Sequence, residues 1–443
     1  MQYIILGTGP VGVIVAEYLL KQNRKVVILD NSKTPNNNSK DYTLKKSNRN
    51  IFSENIYCKN KDSKYLPVAS ATKGGFSEIW GGTFSELRDQ DFEMWDIQRK
   101  DLFKHFEYLI ELLNLRVEVK NDFKLKSTLD DYDEVFKELF KRGNTKNIEI
   151  EKSKIMQDEN GIWSAKFLLD NLISTYSNLK YIDDFEVTNI TENNGEIILV
   201  SETQNLHFTN SKVLVCTGVL SSALIASNIL KNYNFSIQNS DLKILPFIYF
   251  GKSVTNSKKI VPQAFIEFLD KNIKTQLYSV NENLLETVNN SQSKLTKFFL
   301  KIVNKFFDSR LLLLFIYSNS KQSNYFNFLN NSNKIFIKNK VKKTNLSVFH
   351  VFLRSFKQSL RLKLLPIPFY KSFPTYGSFH SGCVKFMEEN KYVYKFDELG
   401  KIQNDSNIYF LDSSIFHSVP SGPTTFLSMS YALYRINKIL DEE

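Results

Sequence analysis

The 443-residue sequence has few cysteines and few histidines, and both shortages restrict its chemistry. Its three cysteines, Cys58, Cys216 and Cys383, lie far apart and form neither a C-x-x-C pair nor an even disulfide framework. Such cysteine usage is typical of a reducing compartment. The sequence also lacks H-E-x-x-H, clustered cysteine and histidine, and G-x-S-x-G, so we expect no metal site and no hydrolase.

Long apolar segments are absent as well. The longest strongly apolar run, residues 311–317, is far shorter than the roughly 20 residues that a transmembrane helix needs. The chain passes from Met1 directly into a strand pattern without a basic region or cleavage site, so we expect no secretory signal and a cytoplasmic protein. The net charge of +11 is scattered over Asn-rich stretches without a nucleic-acid-binding module, so we expect no nucleic-acid partner.

The amino-terminal 30 residues have the pattern of a βαβ unit. Residues 3–6 fit a buried strand, 11–22 a helix and 25–30 a second strand. Helical periodicity returns at 100–113, 130–141 and 166–176, and Asn193-Asn194-Gly195 indicates a hairpin turn. A chain of this length that is 42% hydrophobic can bury a large core, and we expect two interleaved domains of the α/β class.

A glycine motif joins the first strand to the first helix. It fits G-x-G-x-x-G and reads Gly7-Thr8-Gly9-Pro10-Val11-Gly12. The first glycine permits the turn, the second lets the backbone approach a pyrophosphate, and the third lets helix and strand pack closely. Asp30 ends the second strand, where its carboxylate can hydrogen-bond adenosine ribose hydroxyls. We predict a dinucleotide site here; the alternative is a glycine turn in an unrelated α/β protein.

A second glycine cluster occupies residues 73–83. It reads Lys73-Gly74-Gly75-Phe76-Ser77-Glu78-Ile79-Trp80-Gly81-Gly82-Thr83. This cluster resembles the G-G-x-S-x-x-[NW]-G-G loop of the glucose-methanol-choline (GMC) oxidoreductases, which are flavoproteins. Paired glycines suit a backbone that approaches a flat ring, and Ser77 can donate to a phosphate oxygen. The resemblance implies that the dinucleotide is FAD and that it lies near Gly74, Gly75, Ser77, Trp80, Gly81 and Gly82. A glycine-rich hairpin without a ligand is the alternative.

Later segments match the same family in the same order. Residues 213–222 resemble its strand ending in A-x-G-x-x-x-S, residues 407–416 resemble its N-L-Y-V-x-D-x-S-x-F signature, and Pro423-Thr424-Thr425 precedes a long helix. Residues 185–187 occupy the place of a strand whose backbone commonly meets adenine. The chain thus resembles the bacterial polysaccharide-type members of the GMC family over roughly half its length. The resemblance adds the following candidate FAD contacts: Pro10, Val11, Val187, Cys216, Gly218, Asp412, Pro423 and Thr424.

The resemblance also implies the domain organisation. We expect an α/β fold in which a Rossmann-type FAD-binding domain is interleaved with an antiparallel-sheet substrate domain. The FAD-binding domain is expected at 1–110, 180–235 and 375–443, and the substrate-side domain at 111–179 and 236–374. From about 235 to 375 the composition shifts to Phe, Asn and Lys, which favours a separate domain there.

Oxidation of a hydroxyl group by flavin moves a hydride to flavin N5 while a base takes the hydroxyl proton. Histidine titrates near neutrality and suits that base. His380 stands where the resemblance places the family's active-site histidine, and a structural histidine is the alternative at this position. His417, near the flavin-closing segment, is the second catalytic candidate. The family's partner residue, Asn or His, aligns with Gly422, so His417 or a residue of the substrate domain must compensate, or the reaction is not a simple alcohol oxidation.

The leading hypothesis is therefore an FAD-dependent oxidoreductase that acts on the CH–OH group of a sugar, a polyol or a lipid-linked alcohol. The missing partner at Gly422 leaves open a flavin-dependent reductase or a redox-neutral flavoenzyme. A third hypothesis, from a different class, is a degenerate flavoprotein that keeps the fold as a membrane or partner scaffold.

One amphipathic segment favours a membrane partner. On a helix over residues 294–307, four lysines share one face and a Phe-rich apolar surface covers the other. The lysines are Lys294, Lys297, Lys301 and Lys305. Such a helix suits the surface of an anionic membrane, which would make the protein peripheral at the inner membrane face. The alternative is an ordinary amphipathic helix that covers the substrate-domain sheet.

Overall fold

The structure is a computed structural model of the chain. It describes residues 1–32, 56–58, 66–68, 72–78, 80–85, 95, 97–120, 124–129, 132–143, 148–158, 161–239, 242–251, 262–268, 273–279, 310–317, 323, 325–331, 334–341, 356, 359–367, 371–372, 376–378, 382–402 and 406–443. The α-helices named below are α1 Pro10–Lys21, α2 Arg99–Leu112, α3 Glu134–Arg142, α4 Ala165–Thr175, α5 Val219–Ile229 and α6 Thr425–Asp441. A 3-10 turn spans Gly75–Glu78.

The strands are numbered in chain order. Those of the first half are β1 Gln2–Leu6, β2 Lys25–Leu29, β3 Ile56–Cys58, β4 Leu66–Val68, β5 Thr83–Phe84, β6 Val117–Lys120, β7 Lys124–Ser127, β8 Ile148–Lys152, β9 Lys154–Ile155, β10 Gln157–Asp158, β11 Gly161–Ile162, β12 Leu179–Ile182, β13 Asn189–Asn193, β14 Glu196–Val200, β15 Asn205–Thr209 and β16 Ser211–Val215. Those of the second half are β17 Asn234–Asn239, β18 Leu242–Tyr249, β19 Ala264–Phe268, β20 Ile273–Ser279, β21 Leu311–Tyr317, β22 Tyr325–Asn331, β23 Lys334–Val341, β24 Leu364–Pro366, β25 Lys371–Ser372, β26 Tyr376–Ser378, β27 Gly382–Glu388, β28 Lys391–Val393 and β29 Ile408–Phe410.

A five-stranded parallel sheet brings together the amino terminus, the middle and the carboxyl terminus of the chain. Its order is β12-β2-β1-β16-β29, and every neighbouring pair is parallel. Counted along the chain, this is the strand order 3-2-1-4-5 of a doubly wound dinucleotide-binding sheet. The order reverses between β1 and β16, so the crevice at this switch point lies at the carboxyl ends of these two strands.

The parallel sheet is buried because helices cover it. Strands β1 and β16 are buried along almost their whole length, as strands covered on both faces usually are. Helix α1 contacts β1 and β2, and α6 contacts both α1 and α2. The predicted βαβ opening is therefore confirmed, with helix and strand bounds that differ by only a residue from those expected.

The predicted hairpin at Asn193-Asn194-Gly195 is also confirmed. Strands β13 and β14 pair antiparallel on either side of this turn, and β15 extends them into a three-stranded sheet. Asn194 and Gly195 both have positive φ, 50° and 77°. Two positive φ values in a two-residue loop are typical of a type I′ turn, which matches the twist of the joined strands and favours Asn-Gly.

Two larger antiparallel sheets form the rest of the described fold. One has the order β28-β27-β17-β22-β23-β3, and the other has the order β24-β18-β21-β20-β19-β8 with β25 also paired to β18. In the second sheet, alternate residues such as Leu277, Leu312 and Leu314 pack in a separate apolar core with helix α3. The intervening residues, among them Gln276 and Tyr317, lie on the opposite face because side chains alternate along a strand.

Several sequence predictions lie partly or wholly outside the described residues. Helices α2, α3, α4 and α6 confirm the four predicted beyond the first glycine motif. The predicted amphipathic helix at 294–307 and the candidate base His380 both fall outside the described residues. Among the residues that are described, none of the helices combines the length and the apolar character needed to cross a bilayer.

His105 on α2 is a buried titratable group that makes folding depend on pH. Its side chain is 4% exposed, its Nε2 atom has no hydrogen-bond partner in the described part of the chain, and its ring meets the edge of Tyr434. Burial lowers the pKa of His105 from 6.5 to about 4, with a smaller effect from Lys104. Since the folded pKa lies below the unfolded value, the unfolded chain binds the proton first as pH falls, and stability is lost between about pH 6.5 and about pH 4.

We therefore expect His105→Leu to reduce the loss of stability on acidification. Between pH 7 and pH 5 the wild type should lose about 2 kcal/mol more than the variant. At pH 7 the variant should be nearly as stable, because the lost ring leaves no unpaired polar partner. Urea unfolding at both pH values measures the difference. The same pH dependence in both proteins would contradict this role for His105.

Candidate active site

The crevice between β1 and β16 is lined by closely approaching backbone. Gly7 follows β1 with φ +97°, and a Cβ at this position would lie 2.7 Å from the carbonyl oxygen of Cys216. Cys216 follows β16, and its amide donates to the Leu6 carbonyl at 2.9 Å. Burial beside Asp412 raises the pKa of the Cys216 thiol well above its usual value, so the thiol stays protonated. The two loops predicted to contact the dinucleotide therefore lie side by side.

The three glycines of the first motif have different surroundings. A Cβ at Gly12 would lie 2.1 Å from the Gly7 carbonyl oxygen, so helix α1 can pack against this turn only without a side chain there. A Cβ at Gly9, by contrast, would meet no atom of the described residues within 4 Å. Gly9 has ordinary backbone angles and caps α1 without a side-chain hydrogen bond. The helix amino terminus thus faces open space at Gly9.

Asp30 joins the two glycine motifs through Thr8. Its Oδ2 accepts hydrogen bonds from the amide and the hydroxyl of Thr8, both at 2.7 Å, and its Oδ1 accepts from the Ser32 amide at 2.7 Å. The Thr8 hydroxyl in turn accepts from the Gly74 amide at 3.0 Å. A carboxylate has about four acceptor positions, so one remains on Asp30. Contact of Asp30 with a ribose hydroxyl stays a prediction.

The second glycine cluster is held against helix α4. The Ser77 hydroxyl donates to the Gly74 carbonyl at 2.7 Å and accepts from the Ala165 amide at 2.9 Å. Its single hydrogen is thus engaged within the protein, and donation to a phosphate stays a prediction. Gly75 has φ +61°, and a Cβ there would lie 3.2 Å from the Cα of Gly9. The cluster therefore begins directly beside the open helix amino terminus.

The end of this cluster packs on the β9–β11 region. The Trp80 indole donates to the Trp163 carbonyl at 3.0 Å and meets its ring edge-on. Gly82 has φ +62°, and its carbonyl accepts from the Met156 amide at 2.7 Å. Gly81 lies between these two anchored residues and is partly exposed. The cluster thus connects the crevice between β1 and β16 to the second antiparallel sheet, where Thr83 accepts from Gln276.

Asp412 is the hydrogen-bond hub of the carboxyl-terminal segment. Its Oδ2 accepts from the Gly218 amide at 2.8 Å and from the Ser222 hydroxyl at 2.5 Å, and its Oδ1 accepts from the Ser414 amide at 2.9 Å. Burial raises the pKa of Asp412, and these hydrogen bonds act against that rise. Gly218, with φ +83° and open space where a Cβ would lie, begins helix α5. Asp412 therefore fixes that helix amino terminus.

The remaining predicted cofactor residues lie around this frame. Residues 185–188 form no strand; Phe185 donates its amide to the Asp30 carbonyl at 2.9 Å, and Val187 is partly exposed two residues later. Pro423 is partly exposed, and Thr424 caps α6. Pro10 and Val11 open α1. The structure thus brings four of the predicted segments into contact: the Gly7 turn, the Gly74–Gly75 pair, the Cys216–Gly218 turn and Asp412.

His417, the second catalytic candidate, lies in an aromatic cluster. Its ring centroid is 4.5 Å from that of Tyr394 and 6.5 Å from that of Trp95. The Trp95 indole donates to Ser418 at 2.7 Å, and the Cys383 thiol donates to the His417 carbonyl at 3.5 Å. The His417 ring thus packs near Tyr394 and Trp95, whereas Gly422 faces the Ser85 hydroxyl. His380 is outside the described residues, so its distance from His417 stays open.

Gly422 lies in a polar turn that touches the second antiparallel sheet. It has φ +132°, a conformation that side-chain-bearing residues rarely adopt, and a Cβ there would lie 3.5 Å from the Ser85 hydroxyl. The preceding Ser421 donates its hydroxyl to the Tyr317 carbonyl at 3.1 Å and accepts from the Lys274 amide at 3.4 Å. The backbone at Gly422 thus disfavours the Asn or His that the resemblance would place there.

A second polar network, centred on Gln276, was not predicted from the sequence. Its Oε1 accepts from the hydroxyls of Tyr317 at 2.8 Å and Tyr278 at 3.0 Å. Its Nε2 donates to the Thr83 hydroxyl at 2.8 Å, which ties the sheet to the end of the second glycine cluster. No motif marks Gln276 or the tyrosines, because their contacts come from strands far apart in sequence. Ser222, by contrast, occupies the serine position of the A-x-G-x-x-x-S resemblance.

The fold and the crevice define a class of protein: an α/β protein with a Rossmann-type βαβ unit in a parallel sheet and with several antiparallel sheets. No model of a known protein family matches the chain, and no curated protein matches it. Among solved structures, the crystal structure of pyridoxine 4-oxidase from Mesorbium loti is similar over 99% of both chains, with a TM-score of 0.67 and 11% sequence identity. This likeness is one of fold, and it confirms the predicted GMC-like fold class.

We expect Asp412→Asn to destabilise the protein by about 2–3 kcal/mol. An amide has one acceptor oxygen in place of two, so at least one of the three donors around Asp412 loses its buried partner. Asp170→Asn is the matched control, because Asp170 forms an exposed ion pair with Lys73 and its loss should cost less than about 1 kcal/mol. Denaturant unfolding compares them. Equal destabilisation of the two variants would contradict the hub role of Asp412.

Proposed function

We propose that the protein is an FAD-dependent oxidoreductase that oxidises a hydroxyl group. The observation that carries the proposal is the open helix amino terminus at Gly9, flanked by the second glycine cluster at Gly75 and the Cys216–Gly218 turn. Helix amino termini bind phosphates well, because their first N–H groups lack intrahelical acceptors and the helix dipole favours negative charge. The likeness to pyridoxine 4-oxidase, an oxidase by name, supports the same class of reaction.

The residues present fit such a dinucleotide. Gly9, Pro10 and Val11 would hold its pyrophosphate at the start of α1, and Asp30 has one acceptor left for a ribose hydroxyl. On the flavin side, the cluster from Gly74 to Gly82 and the segment from Asp412 to Thr424 would enclose the ring. When bound, FAD supplies the acceptor for the hydride that leaves the substrate carbon.

The chain itself must supply the base that takes the hydroxyl proton. His380 remains our candidate, because the resemblance places it just before the flavin-closing segment. His417 is the second candidate, although its described ring contacts are with aromatic side chains. A histidine with a pKa near neutrality can accept the proton and release it to solvent.

Two other functions remain as alternatives. A flavin-dependent reductase or redox-neutral flavoenzyme is favoured by the conformation of Gly422, which removes the family's usual partner side chain. A degenerate flavoprotein scaffold would bind FAD without reduction by any hydroxyl compound. Contact of residues 294–307 with an anionic membrane stays a prediction from the sequence.

We expect Gly9→Glu to abolish FAD binding while the protein still folds. The site has room for a side chain in the protein alone, so the new carboxylate would displace only the pyrophosphate, which it also repels. Gly9→Gln, which adds bulk without charge, should bind FAD more weakly than wild type but better than Gly9→Glu. The flavin released from each purified protein is measured by absorbance. A folded Gly9→Glu variant with full flavin content would place the dinucleotide elsewhere.

We expect His380→Ala to leave FAD bound and to slow flavin reduction by substrate about 10²- to 10⁴-fold, the usual contribution of a general base. Rapid mixing under anaerobic conditions measures the bleaching of the flavin across pH, with His417→Ala as the matched control. If His417→Ala shows the large loss and His380→Ala reacts like wild type, the base is His417. Unchanged rates in both variants would exclude a histidine base.

A further inference from the structure

The surroundings of Gly422 form a closed series of polar contacts. Ser421 donates to the carbonyl of Tyr317, and the Tyr317 phenol donates to Gln276. Gln276 donates to Thr83, which is two residues before Ser85. Ser85 in turn faces Gly422, the neighbour of Ser421. We call Thr83, Ser85, Gln276, Tyr317 and Ser421 the polar ring.

Most of the polar ring is buried, but Tyr317 remains partly accessible. Gln276 is 1% exposed and Ser85 is 2% exposed, whereas Tyr317 is the partly exposed last residue of an otherwise buried strand. Burial nevertheless raises the pKa of the Tyr317 phenol, so this phenol stays protonated at neutral pH. Tyr317 is therefore the member of the polar ring that remains most accessible.

The directions of the hydrogen bonds determine what the polar ring can still bind. Both tyrosine hydroxyls give their hydrogens to the Gln276 oxygen, so the Tyr317 oxygen keeps only acceptor capacity. The Thr83 oxygen accepts from Gln276, which leaves its own hydrogen to donate. No hydrogen bond joins the Ser85 hydroxyl to any residue in the described part of the chain. The ring therefore offers one acceptor and two hydroxyl donors around Gly422.

We propose that Tyr317 and Ser85 bind the substrate's hydroxyl groups and replace the partner side chain that is absent at Gly422. This inference rests on the proposed function, which places the reacting group beside the flavin-closing segment. A hydroxyl group both donates and accepts, so it can donate to the Tyr317 oxygen while it accepts from Ser85 or Thr83.

The same polar ring selects against anionic substrates. A carboxylate or phosphate only accepts hydrogen bonds, and it would face a Tyr317 oxygen whose hydrogen is committed to Gln276. Lys274 shares a face of β20 with Gln276, but its ammonium lies 4.0 Å from the Glu151 carboxylate, which already balances its charge. Burial of an anion without an unpaired cation is unfavourable. The substrate class is therefore a neutral polyhydroxyl compound such as a sugar or a polyol.

The test uses FAD-loaded protein and a panel of probes. Sorbitol and methyl glucoside represent neutral polyols, and gluconate and glucose 6-phosphate represent their anionic counterparts. Ligand-dependent shifts of the melting temperature report binding without turnover. Anaerobic flavin reduction at several probe concentrations separates KM from kcat. The variants are Tyr317→Phe and Ser85→Ala.

Tyr278→Phe is the matched control. The Tyr278 phenol is buried and, like that of Tyr317, donates a hydrogen bond to the Gln276 Oε1, so this variant removes the same kind of bond. We expect neutral probes, but not anions, to raise the melting temperature. Tyr317→Phe and Ser85→Ala should each weaken binding about 10-fold, the effect of one lost hydrogen bond, mainly through KM. Tyr278→Phe should bind the neutral probes as wild type does.

Four results would overturn the inference. If Tyr317→Phe binds the neutral probes with wild-type affinity, Tyr317 does not bind substrate. If Tyr278→Phe loses as much affinity for the neutral probes as Tyr317→Phe, the network around Gln276 only supports the structure. Stabilisation by the anions, or by none of the neutral probes, would reject the substrate class. Failure of the proposed function is seen separately, either as a protein that cannot be reconstituted with FAD or as bound FAD that no hydroxyl probe reduces, while the melting temperature still reports whether the probes bind.

Discussion

The buried carboxylate of Asp30 is bonded to both the backbone and the side chain of Thr8, and much of the site depends on this pair. A buried carboxylate needs hydrogen-bond donors, and here the turn after β1 provides two of them. The Thr8 hydroxyl then accepts from Gly74, so the same carboxylate also positions the second glycine cluster. One buried charge thus determines how two segments more than 60 residues apart lie around the open end of α1.

Asp412 has the same role on the other side of the crevice. It collects the amide of Gly218, the hydroxyl of Ser222 and the amide of Ser414, and so connects β29 to the beginning of α5. Both carboxylates stand at the carboxyl ends of parallel strands, where backbone N–H groups of the following turns are left without ladder partners. The two acids hold these turns in one conformation, an arrangement that would reduce the entropy lost on binding of the proposed FAD.

The contact between the parallel-sheet region and the second antiparallel sheet is polar at Gly422. Thr83 and Ser421 meet Gln276 and the strand ends of β20 and β21 through hydrogen bonds rather than apolar packing. Hydroxyl groups with unused hydrogen-bonding capacity remain at this contact, and our proposal assigns them to a polar ligand. The positive φ of Gly422 belongs to the same arrangement, because a side chain there would contact the Ser85 hydroxyl.

Local patterns in the sequence determined the βαβ opening, the glycine turn and the Asn194-Gly195 hairpin, because each depends on residues close together in the chain. The fold class followed from the order of the motifs. The engagement of Ser77 with α4 and the network of Gln276 had no local signal. The contacts of Ser77 with Ala165 and of Gln276 with Tyr317 and Thr83 join residues more than 30 positions apart, so the choice of partner for each side chain was made by the tertiary structure.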